Sequence, residues 1–194
     1  MNGPRARAAR TGLALALVVT AVVAGCAAAG EGEGVGRGAR SAGAASSGGA
    51  GEIGRPAPDL AFERLDGKSL NLASLRGKVV LLDVWASWCP PCLKELPMLD
   101  AMARRLKARG VEIVAVSVDQ KRANVIKFLD SQPSWSLTIA HDPRQQIADT
   151  LQPEKMPTSY AIDRAGVIRY VNAGFEPADA AVIEKKLLAL AEGN

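Results

Sequence analysis

The sequence predicts an α/β layered domain built on a mixed sheet. Three observations carry that expectation. Apolar runs of strand length stand at VVLLDVW (79–85) and VEIVAVSVD (111–119). Helix-spaced segments follow each of them. Near the C-terminus two further strand-like runs are separated by a tight turn alone. Strands alternating with helices favour parallel pairing, whereas a short turn imposes antiparallel pairing, so the sheet holds both kinds.

Taken in order, GRPAPDLAFERLDGKSLNLASLRGK (54–78) reads as an extended segment, a hairpin turning at Asp66-Gly67, and a short turn to Gly77. VVLLDVW has the continuous apolar character of a strand covered on both faces. From Pro90 to Arg109, Leu96, Leu99, Met102 and Leu106 recur at helical spacing, and Gly110 supplies a C-terminal stop. VEIVAVSVD is a second buried strand. Residues Lys121 to Asp130 form a helix burying Val125, Phe128 and Leu129, and SLTIAHDP contains a short strand. Asp142 is placed to cap a helix starting at Pro143, because proline suits the first helical position. TSYAID and VIRYVN form a hairpin turning at Arg164–Gly166. A last helix from Pro177 buries Ile183, Leu187 and Leu190 and stops near Gly193. No internal repeat is present.

The first 53 of the 194 residues do not read as part of this domain. Arg5, Arg7 and Arg10 precede an apolar stretch from about Leu13 to Val23, too short for an ordinary membrane span, and the stretch closes on VAGC (23–26). Residues 1–26 therefore read as a secretory signal, and VAGC resembles the lipobox of bacterial lipoproteins. That resemblance implies lipidation of Cys26; the alternative is a plain cleaved signal with an incidental cysteine. Residues 27–53 are glycine, alanine and serine with scattered charge, a flexible tether of roughly 30 Å root-mean-square span. Residues 54–194 are the folded domain.

The formal charge of +4 misleads about partners. Removing the three signal arginines from 24 basic residues leaves 21, against 20 acidic ones. With no basic patch interleaved with aromatics, nothing argues for nucleic acid.

The chemistry concentrates in WASWCPPC (85–92). Prolines at the start of a helix place Cys89 at its N-terminus, where the helix dipole and unpaired N–H groups favour thiolate. Thiolate is the species that attacks disulfides. Cys92 lies about one turn on, at a spacing a disulfide can bridge. The bland readings are half of a zinc site and a static disulfide. Zinc needs four ligands, and His141 with no further usable cysteine does not complete the set. A static bridge closing so short a loop would constrain the unfolded chain little. Asp83, inside a doubly covered strand, should have its pKa raised by desolvation and so suit proton transfer; alternatively it is a structural acid. Glu95, one turn after Cys92, either influences that thiol or is a solvated charge. Pro97 lies inside the helical pattern. Trp88 can shape an apolar surface beside Cys89, whereas Trp85 reads as core and His141 as a turn residue without a catalytic role.

WASWCPPC, with GRPAPDL, RGKVVLLDVWASWCPPCLKELP, VSVD and MPTSY, resembles the exported TlpA/ResA-like branch of thioredoxin-fold oxidoreductases across residues 54–194. The resemblance implies a thioredoxin-like fold: a mixed central sheet flanked by helices, with an N-terminal β-hairpin extension. It implies Cys89 as nucleophile, Cys92 as resolving thiol, and Asp83 and Glu95 as candidate proton acceptors. Many of that branch lack the aspartate, so which acid acts stays open. Pro157 matches a cis proline facing the disulfide, and Met156 a residue offering its backbone to substrate. With Trp88, Pro90 and Pro91 they make the expected substrate-binding surface; the alternative for Pro157 is an ordinary loop proline.

The implied protein is a membrane-tethered thiol–disulfide oxidoreductase lacking a bound cofactor or metal. Its domain faces the periplasm or extracytoplasmic side. Its relatives keep apocytochrome c or copper-site cysteines reduced and are recharged by a membrane thiol-transfer protein. Two rivals are weighed against it. A peroxiredoxin-like peroxidase would carry Thr or Ser where this chain has Ala86. A non-enzymatic copper-delivery module would space its cysteines one residue wider and use a histidine nearby.

Overall fold

A computed structural model of the chain describes residues 51–131 and 134–193. Seven strands form one sheet: β1 (Ala61–Arg64), β2 (Ser69–Asn71), β3 (Val79–Trp85), β4 (Val111–Ser117), β5 (Thr138–His141), β6 (Thr158–Ile162) and β7 (Ile168–Ala173). Their order is β2-β1-β5-β4-β3-β6-β7. β3, β4 and β5 pair in parallel, and the remaining neighbours are antiparallel. The helices are α1 (Pro90–Leu106), α2 (Arg122–Leu129), α3 (Gln146–Leu151) and α4 (Asp179–Glu192).

The central strand is buried at all seven positions. It is covered on both faces, which explains why its sequence does not alternate. α1 and α4 touch one another and pack against the sheet, α1 on β4 and α4 on β3. Leu96, Leu99, Met102, Ile183 and Leu187 from these helices are buried with Leu81, Leu82 and Ile113 from the sheet. The spacing argument thus holds for α1, which runs through Pro97 and passes into a 3₁₀ turn over Lys107–Arg109 before the left-handed Gly110. Leu190 and Phe128 are half-buried rather than buried.

The amino-terminal hairpin extends the sheet beyond β5, with Glu63 opposite His141 and Arg64 opposite Ala140. His141 is therefore the buried last residue of a strand, not a turn residue. The following helix begins at Gln146, three residues later than Pro143 suggests. Gln145 N–H donates to Asp142 C=O at 3.0 Å, closing a turn with Pro143 second. The fixed φ of proline suits that position as well as it suits a helix start. Asp142 is not the capping residue, which is Gln145, although its Oδ2 accepts from Ile147 N–H at 2.8 Å. The last helix begins at Asp179 rather than Pro177.

No helix among the described residues is long and apolar enough to cross a membrane. Cys26, its leader and most of the tether lie outside the described residues.

Candidate active site

Cys89 is the residue that caps α1, with extended backbone (φ −102°, ψ 100°). Pro90 and Pro91 fill the first two helical positions and have no N–H to offer. The first free backbone donor of the helix is consequently Cys92 N–H, which points at Cys89 Sγ at 3.3 Å. A thiolate at residue 89 would receive that hydrogen bond along with the positive end of a 17-residue helix. The two cysteines are joined as a disulfide, their Cα atoms 5.3 Å apart. Cys89 is 4% exposed and Cys92 wholly buried, while Trp88 beside them is 63% exposed. Pro90 is exposed and Pro91 half-buried. The exposed rim therefore lies directly above the buried sulfurs.

The loop carrying Cys89 is pinned from the side by Asp119, two residues beyond the end of β4. Asp119, 1% exposed, accepts from Ser87 N–H (2.8 Å), Ser87 Oγ–H (2.7 Å) and Ser117 Oγ–H (2.8 Å). His141 Nε2 in turn contacts Asp119 C=O at 2.7 Å. Nothing in the sequence singled out Ser87 or Asp119, apart from VSVD as a pattern. Asp119→Ala leaves the buried Ser117 hydroxyl and the half-buried Ser87 N–H and hydroxyl without this partner, each hydrogen bond being worth about 1 kcal/mol net and more when its partner group is left unsatisfied. The expected loss of stability is about 2–4 kcal/mol, read from urea unfolding of the oxidised protein. A change below about 0.5 kcal/mol, the size of an ordinary surface substitution, would remove Asp119 as the anchor of the loop.

The Met156–Pro157 peptide is cis. Pro157 is buried and Met156 half-buried. Thr158 pairs with Val84, so this loop emerges beside the end of β3 that leads to Cys89. Thr158 Oγ–H bonds Lys155 C=O at 2.6 Å, and Pro157 C=O accepts from Gly174 N–H at 2.7 Å. The register therefore brings Cys89, Cys92, Trp88, Pro90, Pro91, Met156 and Pro157 to one end of the sheet.

Both candidate acids lie inside. Asp83 is wholly buried and Glu95 is 1% exposed. Ser159 on β6 touches each, 2.9 Å from Asp83 Oδ1 and 3.2 Å from Glu95 Oε1. Burial drives both pKa values up, with the Ser159 contact pulling back. Glu95 is raised further because the Asp83 charge, and beyond it Asp179, oppose its ionisation. The solvated-charge reading of Glu95 is thereby excluded. Trp85 is fully buried, with its ring 5.6 Å from that of Phe128. Among the described residues no group of three or more His, Cys, Asp or Glu side chains is placed to hold a metal ion.

A bonded cysteine pair at a helix N-terminus, a cis proline loop beside it and buried acids beneath can hold and exchange two electrons through sulfur. Comparison with known proteins agrees. The model of the AhpC/TSA family matches residues 53–171. The thiol-disulfide oxidoreductase ResA of Bacillus anthracis is 36% identical over 117 residues, 60% of this chain and 67% of the relative. ResA of Bacillus subtilis strain 168 is 34% identical over 121 residues, 62% of this chain and 67% of its own. A crystal structure from Chlorobium tepidum, described as a thiol:disulfide interchange protein DsbE, superposes with a TM-score of 0.69 at 38% identity. That match covers 72% of this chain and 98% of the other. The exposed lipoprotein thioredoxin Etrx1 of Streptococcus pneumoniae TIGR4 superposes at 0.58 with 28% identity, covering 67% of this chain and all of its own. The chain belongs to the AhpC/TSA family, with a thioredoxin-like fold, and is a thiol–disulfide oxidoreductase of the ResA/DsbE type.

Proposed function

We propose that the protein is tethered to a bacterial membrane through Cys26 and reduces disulfides of exported proteins, cytochrome c or copper-site precursors among them. The observation that carries the chemistry is the Cys89–Cys92 pair at the start of α1, with Cys92 N–H aimed at Cys89 Sγ. In the reduced enzyme the Cys89 thiolate attacks one sulfur of the substrate disulfide. The substrate S–S bond breaks, and a Cys89–substrate bond forms as the other sulfur leaves with its electron pair. Cys92 then loses its proton to the buried acids and attacks Cys89 Sγ. The second substrate thiolate leaves, and the enzyme disulfide remains. Two electrons have passed to the substrate, and a membrane thiol-transfer protein returns them. Trp88, Met156 and Pro157 form the surface on which the substrate chain lies. VAGC ahead of a glycine-rich segment supports the tether, as does the likeness to a protein described as an exposed lipoprotein.

Membership of the AhpC/TSA family keeps a peroxidase reading in play, although Ala86 occupies the position where such enzymes carry Thr or Ser. One experiment separates the two. The purified full chain, kept reduced with dithiothreitol, should speed reduction of insulin disulfides at least about tenfold over dithiothreitol alone and consume hydrogen peroxide no faster than a free thiol. In cells it should fractionate with membranes, and Cys26→Ser should release it. Rapid peroxide consumption with no insulin reduction reverses the assignment, and a soluble parent protein removes the tether.

A further inference from the structure

Ser159 stands directly opposite Asp83 in the β3–β6 ladder, so the two side chains leave the sheet on the same face. Glu95 comes down on them from α1, and none of the three is more than 1% exposed. The hydroxyl is within hydrogen-bonding distance of a carboxyl oxygen on each side. A hydroxyl has one proton. It donates along one contact and must accept along the other, and an ionised carboxylate has nothing to give. Both contacts are hydrogen bonds only when one of the two acids is protonated.

The surroundings favour the same count. Asp83 Oδ2 and Glu95 Oε2 bond to no described residue, so a second negative charge there would be left without a donor. From α4 the charged group bearing on Glu95 is Asp179, another acid. β7 places Asn172 opposite Ser159, and α1 contributes Cys92, uncharged while bonded to Cys89. Among the described residues, no cation acts on either carboxyl.

We propose that Ser159 is a positioning residue for the resolving step: it ties Asp83 and Glu95 into one proton-sharing unit that takes the thiol proton of Cys92. This rests on the dithiol mechanism proposed above. Before the step the unit holds one proton and one negative charge, which the hydroxyl lets settle on either acid. Cys92 lies one helical turn from Glu95 on the same helix face. As its S–H bond breaks, the proton passes to the ionised member. The Cys92–Cys89 bond forms, and the Cys89–substrate bond breaks with its electron pair leaving on the substrate sulfur. Both acids are then neutral, the state a dry interior prefers. Either acid alone could accept the proton, and the serine makes the choice between them unnecessary.

The test uses the full chain with carboxyl-labelled Asp and Glu, oxidised so that neither cysteine titrates, and follows Asp83 and Glu95 by carbon NMR against pH. Ser159→Ala should move the first ionisation of the pair up by about one pH unit, because the carboxylate loses a donor, and Ser159→Thr should restore it. In single-turnover reduction of a peptide disulfide, the acid limb of the resolving rate should move up equally, slowing the step about tenfold on that limb. Ser159→Val, which also lacks the hydroxyl and suits a buried strand, serves if the alanine variant does not fold. An unmoved first ionisation and an unmoved acid limb in a folded variant overturn the role of Ser159 while leaving the reductase intact. A parent protein that exchanges no disulfide overturns the dithiol reading, and the role of Ser159 falls with it.

Discussion

Cys92→Ser turns the enzyme into a trap. Cys89 keeps its place at the head of α1 and still attacks a substrate disulfide, but nothing is left to resolve the mixed disulfide. Turnover should fall by at least about a thousandfold, because escape then depends on a thiol from outside. The covalent adduct should accumulate and run as a shifted band on non-reducing gels, with dithiothreitol releasing both partners. Cys89→Ser should lose the same activity and trap nothing. The asymmetry follows from burial: Cys92 has no exposed surface, whereas Cys89 sits at the rim beside the exposed Trp88 and Pro90. An adduct on Cys92 in the Cys89→Ser protein, or none on Cys89 in the Cys92→Ser protein, would remove Cys89 as the attacking sulfur. Recovering the trapped protein from cells also names the substrate.

What could be seen in the sequence was what lies close together along the chain. VVLLDVW announces a central strand because seven consecutive residues are buried, and the Leu96–Leu99–Met102–Leu106 spacing announces α1 because a helix buries one stripe. The cysteine pair and its prolines are four consecutive residues whose geometry is local. Contacts that cross the sheet were not visible. Asp119 reaches Ser87 from 32 residues away, and Ser159 reaches Asp83 from 76. In a strand, Ser159 reads like any small polar residue, and only the antiparallel register of β6 on β3 sets it against an acid. The placing of the first hairpin beside β5 is hidden for the same reason, since either edge of a sheet can accept a strand. Pro143 misled in another way. Its ring fixes the same φ in a turn and in a helix start, so the residue alone does not distinguish them.

The buried acids should set how stability depends on pH, and removing one should strengthen the fold while slowing the chemistry. In the unfolded chain Asp83 and Glu95 titrate near their ordinary values of 3.8 and 4.5. In the folded protein burial raises Asp83 to about 7, and burial together with the Asp83 charge raises Glu95 to about 10. Between those limits the native state holds more protons than the unfolded one, so stability is greatest in acid and is lost as pH climbs. Glu95→Gln removes the larger part of that loss. At pH 8 the oxidised variant should melt at least about 5 °C above the parent, since one pKa unit is about 1.4 kcal/mol and each kcal/mol is worth about 2–4 °C in a protein of this size. At pH 4, where the acid is already neutral, the two should melt together. The resolving step should meanwhile slow near pH 7 by about tenfold, less than the loss of a sole general base would give, because Asp83 can still take the proton. Asp83→Asn should show both effects in the same direction, because the two carboxyls titrate as a pair and removing the Asp83 charge also eases ionisation of Glu95. Melting differences that stay constant from pH 4 to pH 8 would mean the glutamate titrates like an exposed one. A proton acceptor fit for a buried thiol must itself be reluctant to ionise, and that reluctance is what the fold gives up in stability.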